Sequence, residues 1–200
     1  MRTINPEKEE QSKNEIITTA QKLFQTYGLD KTSMEDIANA LGKGKSTLYY
    51  YFKSKDEVFH AVARKEMAAM LEVMKDSVSG IQSASAKLRA LFLCRSRELR
   101  LKLNLYAAVL PAERRKHYDL FKGIRRETNE AEMLMLKQIF SEGIKKGEFK
   151  SISVRDCGRV VRAAVAVMNG VEAEIFLSGE MPPDDIQLNT ITDIFIRGLR

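Results

Sequence analysis

Residues 32–55 read TSMEDIANALGKGKSTLYYYFKSK, and this stretch decides the architecture of the N-terminal part of the chain. Thr32 or Ser33 can cap a helix, because two acids follow where a capping box and the helix dipole favour them. Gly42 is suited to end that helix, since glycine readily adopts the left-handed conformation at a helix C-terminus. A second short helix follows over about 45–52. The pattern therefore predicts two short helices joined by a tight glycine turn, which is a helix-turn-helix.

The second of these helices has an apolar side and a positively charged side. Leu48 and Phe52 lie one turn apart and are expected to anchor it inward. After Asp36 the stretch carries lysines, hydroxyls and tyrosines, with no acid up to Lys55. Such a helix lies in the major groove of DNA, where lysine can donate to guanine and hydroxyls can hold phosphates. The residues expected to bind DNA are Lys45, Ser46, Thr47, Tyr49, Tyr50, Tyr51, Lys53 and Lys55, together with Ser33.

Composition is compatible with this function. The chain has 200 residues, of which 44% are hydrophobic, so it can bury a sizeable core. The formal net charge of +6 gives a mild bias toward polyanionic partners. The two cysteines, Cys94 and Cys157, are far apart, which fits a reducing compartment. Neither a signal peptide nor a run of about 18 apolar residues is found, so we expect a cytoplasmic protein.

Helical spacing continues along the whole chain, and no strand is predicted. The fold class expected is therefore all-α, with about nine helices. These are predicted over about 12–27, 33–41, 45–52, 54–78, 84–103, 105–117, 119–146, 154–177 and 185–199. The helix over 154–177 is apolar round nearly its whole circumference, so we expect it to be covered on more than one side. The helix over 54–78 starts beside the lysines and is expected to belong to both parts of the chain.

Two segments carry a resemblance to a known family. IITTAQKLFQTYGLDKTSMEDIANALG (16–42) and KSTLYYYFKSKDEV (45–58) resemble the DNA-binding domain of TetR (tetracycline-repressor-type) transcription regulators. The similarity extends over about residues 12–60. EGIKKGEF and the closing IFIRGLR resemble the C-terminal half of that family more weakly.

The resemblance implies an all-α homodimer with two domains. Residues 1–53 would form the helix-turn-helix DNA-binding domain, with a tail over 1–11 that we expect to be flexible. Residues 54–200 would form a helical ligand-binding and dimerisation domain. The last two helices would build a four-helix interface between subunits.

The match also implies roles for single residues. Lys45, Ser46 and Tyr49 fall where the family reads bases, and Thr47, Tyr50, Tyr51 and Lys55 fall where it holds phosphates. Tyr51 can instead pack inward, since it lies three residues after Leu48. The chain departs from the family pattern at Lys43, where an apolar residue is usual, and at Gly44, where Ser, Ala or Thr is common. Either the stem of Lys43 snorkels or the turn is reshaped, which leaves the docking on DNA open.

Sites in the second domain are predicted with less detail. Residues that can line a ligand pocket, or form an ordinary core, are Met67, Met70, Met74, Leu91 and Cys94. Residues expected at the dimer interface are Val160, Ala164, Val167, Val171, Ile175, Ile191 and Phe195. The basic residues that can attract an anionic effector, or form a solvated face, are Arg95, Arg97, Arg100 and Lys102.

The expected function is a homodimeric repressor that a small-molecule effector releases from a pseudo-palindromic DNA operator. No cofactor, metal or membrane partner is expected. An enzyme is disfavoured because His60 and His117, the two histidines, lack metal-ligand spacing, and no Walker loop, GxSxG or GxGxxG motif occurs. A helical adaptor that binds protein and not DNA is the other alternative. The salt dependence of DNA binding separates these classes.

Overall fold

The computed structural model describes residues 6–106, 114–178 and 185–200, and over these residues it is helical without strands. The predicted all-α fold class is confirmed. The helices are α1 (Pro6–Tyr27), α2 (Met34–Ala40), α3 (Lys45–Tyr51), α4 (Lys55–Val78), α5 (Ala84–Tyr106), α6 (Arg114–Lys145), α7 (Cys157–Ser178) and α8 (Asp185–Leu199).

The described residues form eight helices where nine were predicted. The predicted helix over 105–117 falls partly on 107–113, outside the described residues. From Arg114 onward the chain is one continuous helix to Lys145, so the break predicted near 117–119 does not occur. No proline or glycine stands between Arg114 and Lys122, so nothing in the sequence stops the helix there.

The chain forms two compact units. The first comprises Met1–Glu66 with Leu103–Ile124, and the second comprises Met67–Lys102 with Arg125–Arg200. The division falls inside α4, after Glu66, so α4 contributes residues to both units as the sequence suggested. The predicted domains assign all of α4 to the second.

The first unit packs around the apolar face of α1. Ile16, Ala20 and Phe24 on α1 are buried, as the helical spacing indicates. The rings of Phe24 and Phe59, the latter on α4, meet edge to face with their centroids 6.1 Å apart. Helix α1 begins at Pro6, a residue favoured in the first turn of a helix. Residues 6–11 are thus helical, although the sequence predicted a flexible tail over 1–11.

In the second unit, the segment EGIKKGEF ends α6 and turns the chain back. Gly147 takes a left-handed conformation, with φ of 72°, just after the helix. Phe149 is fully buried and lies against Gly143, where a Cβ atom would stand 2.1 Å from the Phe149 ring. Gly143 is therefore required by packing, whereas Gly147 is required by backbone conformation.

Glu148 connects this turn to the start of α5. Its carboxylate accepts hydrogen bonds from the backbone N–H groups of Ala84 (2.9 Å) and Ser85 (3.0 Å) and from the hydroxyl of Ser83 (2.8 Å). Burial alone would raise the pKa of Glu148, but these hydrogen bonds lower it to about 2. A carboxylate from a distant part of the chain thus caps α5, where the helix dipole favours negative charge.

Candidate nucleic-acid interface

Helix α2 is capped by Ser33, and the choice between Thr32 and Ser33 is settled by geometry. The Ser33 hydroxyl accepts a hydrogen bond from the Asp36 N–H at 3.1 Å, and the Asp36 carboxylate accepts one from the Ser33 N–H at 2.8 Å. Hydrogen bonds from the Ser33 side chain and backbone lower the pKa of Asp36. Thr32 is buried and donates to the Gly28 carbonyl at 2.8 Å. This reciprocal capping box fixes the first turn of α2.

The turn between α2 and α3 is a regular Schellman motif. Gly42 has φ of 62°, its N–H donates to the Asn39 carbonyl, and the Lys43 N–H donates to the Ala38 carbonyl, both at 3.0 Å. In this motif the residue after the glycine usually makes an apolar contact with the helix. Lys43 occupies that position here, so the unusual residue leaves the turn geometry unchanged.

Lys43 occupies this usually apolar position with a partly exposed side chain whose ammonium is paired. The side chain is 31% exposed, and its ammonium lies 2.6 Å from the Glu15 carboxylate on α1. The charge pairs with another helix and the turn keeps its Schellman geometry, so of the two possibilities left open by the sequence, a reshaped turn does not occur. Gly44 is the N-cap of α3, and a Cβ there would approach Ser46 Oγ only to 3.7 Å. Serine or alanine would therefore fit at Gly44.

Helix α3 presents an exposed polar face. Leu48 is 1% exposed and anchors the helix in the first unit, as predicted. Phe52 is half-buried and lies just outside the helix as its C-cap, so it anchors less than expected. The predicted DNA-binding residues that are exposed on this helix are Lys45, Ser46, Thr47, Tyr49 and Tyr50.

Three other predicted residues make specific contacts within the first unit. Tyr51 is half-buried, and its ring meets the edge of the Tyr50 ring with centroids 4.9 Å apart. Lys53 donates to the Tyr49 carbonyl at 2.9 Å, at the C-terminus of α3. Lys55 donates to the Leu29 carbonyl at 2.9 Å. Each ammonium has three N–H donors, so these bonds leave both lysines able to contact a phosphate.

Four of the predicted DNA-binding residues line one open cleft. Ser33, Lys45, Tyr49 and Lys55 come together there around a volume of about 350 Å³. The same cleft is lined by Asp30, Lys31, Thr32, Met34 and Glu35, which the sequence analysis did not assign to the site. Lys31 and Glu35 lie two residues before and two residues after Ser33. This closeness to a predicted DNA-binding residue is the sequence signal that could have identified them. The Lys45 ammonium lies 3.4 Å from the Glu35 carboxylate.

The residues predicted to line a ligand pocket belong to the core of the second unit. Met67, Met70, Met74 and Leu91 are buried, and Cys94 is half-buried. Burial raises the pKa of the Cys94 thiol, so the neutral form is favoured. These positions fit an ordinary core and a pocket wall equally, and their role in ligand binding stays a prediction.

Arg95 belongs to a buried polar network and not to a solvated face. Its side chain is 7% exposed, and its Nε lies 2.7 Å from the Glu132 carboxylate, which is 1% exposed. It also donates to the Met168 carbonyl at 3.2 Å and to the Asn169 side chain at 3.0 Å. The network joins α5, α6 and α7. Of the other basic residues, Arg97 is exposed, and the side chains of Arg100 and Lys102 lie outside the described part of the chain.

The residues predicted at the dimer interface are distributed unevenly. Val167 and Ile191 are exposed, whereas Ala164 is buried within its own subunit. Val160 and Phe195 are half-buried, and Phe195 meets Phe92 on α5 with ring centroids 5.9 Å apart. The side chains of Val171 and Ile175 lie outside the described part of the chain.

Helices α7 and α8 each expose an apolar stripe. On α7 the exposed residues Ala163, Ala166, Val167 and Gly170 recur at helical spacing. On α8 the exposed residues include Ile186, Ile191 and Ile194. Of these, Val167 and Ile191 are among the residues predicted at the dimer interface. Helix α7 is thus covered on one side by its own subunit, and its other side is open.

Two further findings concern the described residues alone. They contain no group of three His, Cys, Asp or Glu side chains that could hold a metal ion. None of the helices searched has an apolar stretch long enough to cross a bilayer.

Comparison with known proteins is consistent with this arrangement. Residues 16–62 match the family model of bacterial regulatory proteins of the tetR family. The HTH-type transcriptional repressor AcnR of Corynebacterium jeikeium is 31% identical over 64 residues, which are 32% of this chain and 34% of that repressor. The match thus spans about a third of the length of AcnR.

Two other proteins resemble nearly the whole chain. The fatty acid metabolism regulator protein of Bacillus subtilis is 25% identical over 190 residues, covering 92% of this chain and 94% of the regulator. The crystal structure of a transcriptional regulator from Cytophaga hutchinsonii superposes with a TM-score of 0.73 at 28% identity, covering 91% of this chain and 95% of that one.

Proposed function

We propose that the chain is a DNA-binding regulator of the tetR family and acts as a homodimeric repressor that a small-molecule effector releases from its operator. The observation that carries this proposal is the exposed face of α3. Lysine, serine, threonine and tyrosine side chains are exposed on it, while Leu48 is buried beneath. In a helix-turn-helix, these are the groups that meet base edges and phosphates.

The geometry of DNA supports the proposed homodimer. Two recognition helices must lie about 34–36 Å apart to enter successive major grooves, so a dimer binds a pseudo-palindromic operator. The exposed apolar stripes of α7 and α8 support such a dimer, because isolated apolar stripes of this kind are rare on monomers. Small residues on α7 would let a partner helix approach closely.

Release by an effector requires that effector and operator affinities be coupled. The coupling is reciprocal and typically amounts to about 1–3 kcal/mol. Helix α4 is the natural lever, since it runs unbroken from Lys55, in the cleft, to Met74, in the core of the second unit. We propose that the effector binds the core of the second unit and favours a spacing of recognition helices that does not fit DNA.

A target in fatty acid metabolism is favoured by the fatty acid metabolism regulator protein of Bacillus subtilis, which aligns over 92% of this chain. The buried methionines of α4 suit an apolar chain, because methionine adapts to irregular ligands. Recovery of genomic fragments with the purified protein tests this target. Bound fragments are expected upstream of fatty acid genes, and bound fragments without such neighbours would refute this part of the proposal.

The DNA-binding function itself is tested by a salt titration on a selected duplex. The logarithm of affinity should fall linearly with the logarithm of salt concentration, because each phosphate neutralised releases counterions. Two variants with the same charge change then distinguish a residue that recognises bases from a residue that binds phosphates. Lys45→Ala should relax base preference at one position of each half-site, at a cost of about 1–3 kcal/mol for the preferred base.

Lys55→Ala is the matched control. It should weaken binding to all sequences alike and flatten the salt slope by about one unit. If Lys45→Ala kept the full sequence preference, the assignment of the reading face would be wrong. A folded dimer that bound no DNA at low salt would refute the function and would favour a protein-binding adaptor.

A further inference from the structure

We propose that Glu35 is a positioning residue for DNA recognition, which holds Lys45 away from phosphates and thereby lowers binding to non-specific DNA. The proposal rests on the proposed function, because it requires α3 to enter the major groove. Its basis is the ion pair in the cleft, where the Lys45 ammonium lies 3.4 Å from the Glu35 carboxylate. The cleft is lined by three lysines, Lys31, Lys45 and Lys55, and by two acids, Asp30 and Glu35, of which Glu35 is the one that pairs with Lys45.

The backbone positions of both partners are fixed by local structure. Glu35 is in the first turn of α2, which the Ser33–Asp36 capping box holds in place. Lys45 is the first residue of α3, directly after the Schellman turn. Local hydrogen bonds therefore hold the backbone at both positions, and from there the Lys45 ammonium reaches the Glu35 carboxylate.

The pair has different consequences on different DNA sequences. An ammonium has three N–H donors, so Lys45 can keep Glu35 and donate to a guanine at the same time. A lysine that swings out to a phosphate loses the carboxylate and leaves it facing a polyanion. Both side chains are more than half exposed, 55% for Lys45 and 65% for Glu35, so the pair is weak enough to be exchanged on binding.

Replacing the carboxylate by an amide should therefore raise non-specific affinity. For Glu35→Gln we expect scrambled DNA to bind about two- to fivefold more tightly, the range expected for an exposed pair. The salt slope on scrambled DNA should steepen by about one unit, because one more lysine becomes free to neutralise a phosphate. Affinity for the selected duplex should rise less, so the ratio of specific to non-specific affinity should fall.

The experiment uses the full chain and two probes. One is a duplex that the wild type recovers from a random-sequence library, and the other is a scrambled duplex of the same composition. Fluorescence anisotropy across a potassium chloride series gives affinities for wild type, Glu35→Gln, Lys45→Ala and the double variant. Circular dichroism establishes that each variant is folded.

A double-mutant cycle shows whether Glu35 acts through Lys45. If it does, Glu35→Gln has no effect on scrambled DNA in the Lys45→Ala background. An equal gain in both backgrounds would overturn the proposal, since Glu35 would then act as a plain negative charge. No gain in either background would overturn it as well.

Glu72→Gln is the control for net charge. Glu72 pairs with Lys75 at 2.6 Å on the exposed side of α4, and its replacement changes the charge of the chain by the same amount. If Glu72→Gln matched Glu35→Gln, the positioning role would be refuted. A wild type that selects no sequence above the scrambled duplex would instead refute the proposed function, whatever Glu35→Gln does.

Discussion

Arg95 and Glu132 place a full ion pair inside the second unit, where charges are costly to desolvate. Each side chain is less than one-tenth exposed. The desolvation penalty in a protein interior is several kcal/mol per ion, and it is offset only by good geometry and further hydrogen bonds. Here the further bonds come from the Met168 carbonyl and the Asn169 side chain. The network joins α5, α6 and α7, and its net contribution to stability is small compared with the cost of leaving either charge unpaired.

Removing one partner should be far worse than removing both. We expect Arg95→Leu and Glu132→Leu each to lower the free energy of unfolding by about 3–5 kcal/mol, because each leaves a buried charge unpaired. The double variant should recover most of that loss. Urea unfolding monitored by circular dichroism measures all three. A double variant as unstable as the sum of the single ones would contradict this account.

The sequence indicated residues whose roles depend on near neighbours. Leu48 was assigned correctly and the cap of α2 was limited to Thr32 or Ser33, because an inward anchor and a helix cap follow from positions within one turn. Arg95 could not be recognised as buried, since its partner Glu132 comes from another helix. Lys43 was marked as unusual, but Glu15, which pairs with it, lies on α1. An ion pair between residues far apart in the chain leaves no periodic pattern in a single sequence, so it cannot be predicted from that sequence.

At the scale of elements, the turn after α6 binds the start of α5 and so connects these two helices of the second unit. Glu148 caps α5, and the neighbouring Lys146 donates to the Gln82 carbonyl at 2.7 Å. Glu142, one turn earlier, pairs with Lys87 at 2.7 Å, and hydrogen bonding to Lys87 lowers the pKa of Glu142. The segment EGIKKGEF was predicted to close a helix, and its closing glycine does so. Its second role was not visible, because the N–H groups it caps lie far away in the chain.

The cap predicts a specific response to acid. In the folded protein the pKa of Glu148 is about 2, below its ordinary value of 4.5, because burial, which raises it, is outweighed by the hydrogen bonds that backbone and hydroxyl groups donate to the carboxylate. Its contribution to stability is therefore fully present above pH 4.5 and is lost as the pH falls from 4.5 toward 2. Glu148→Gln resembles the protonated acid in shape, so it should cost about 1–2 kcal/mol at neutral pH, a typical loss for a helix cap.

The difference between Glu148→Gln and wild type should shrink steadily as the pH is lowered below 4.5. Urea unfolding at a series of pH values measures it. Glu72→Gln, at an exposed pair, should stay within about 0.5 kcal/mol of wild type. A deficit of Glu148→Gln that did not change with pH would show that the amide disturbs packing instead of removing a charge-assisted cap.

At the scale of the whole molecule, the main feature is the pair of exposed apolar stripes on α7 and α8. Val167 is 67% exposed and Ile194 is 68% exposed, and the grouping of such residues along a helix face is typical of an interaction surface. The sequence predicted the helix α8, but it did not predict that one side of α7 is buried in its own subunit and the other side is open. A helix that is apolar all round gives no signal for which of its sides its own subunit covers.

If a second subunit covers these stripes, charge at their centre should prevent association. We expect Val167→Glu and Ile194→Glu to convert the dimer to a folded monomer in sedimentation velocity, because each would bury an unpaired carboxylate. Val154→Glu is the control, since Val154 is 77% exposed but lies outside both helices. The monomers should also bind a two-half-site duplex far more weakly, because the half-sites are no longer engaged together.

The same variants separate dimerisation from folding. An obligate dimer becomes more stable as its concentration rises, since association draws on the folded subunit alone. The Tm of the wild type should therefore increase with protein concentration, and that of Ile194→Glu should not. If Ile194→Glu stayed dimeric and kept its DNA affinity, the interface would lie elsewhere on the subunit, and α8 would need another partner for its exposed isoleucines.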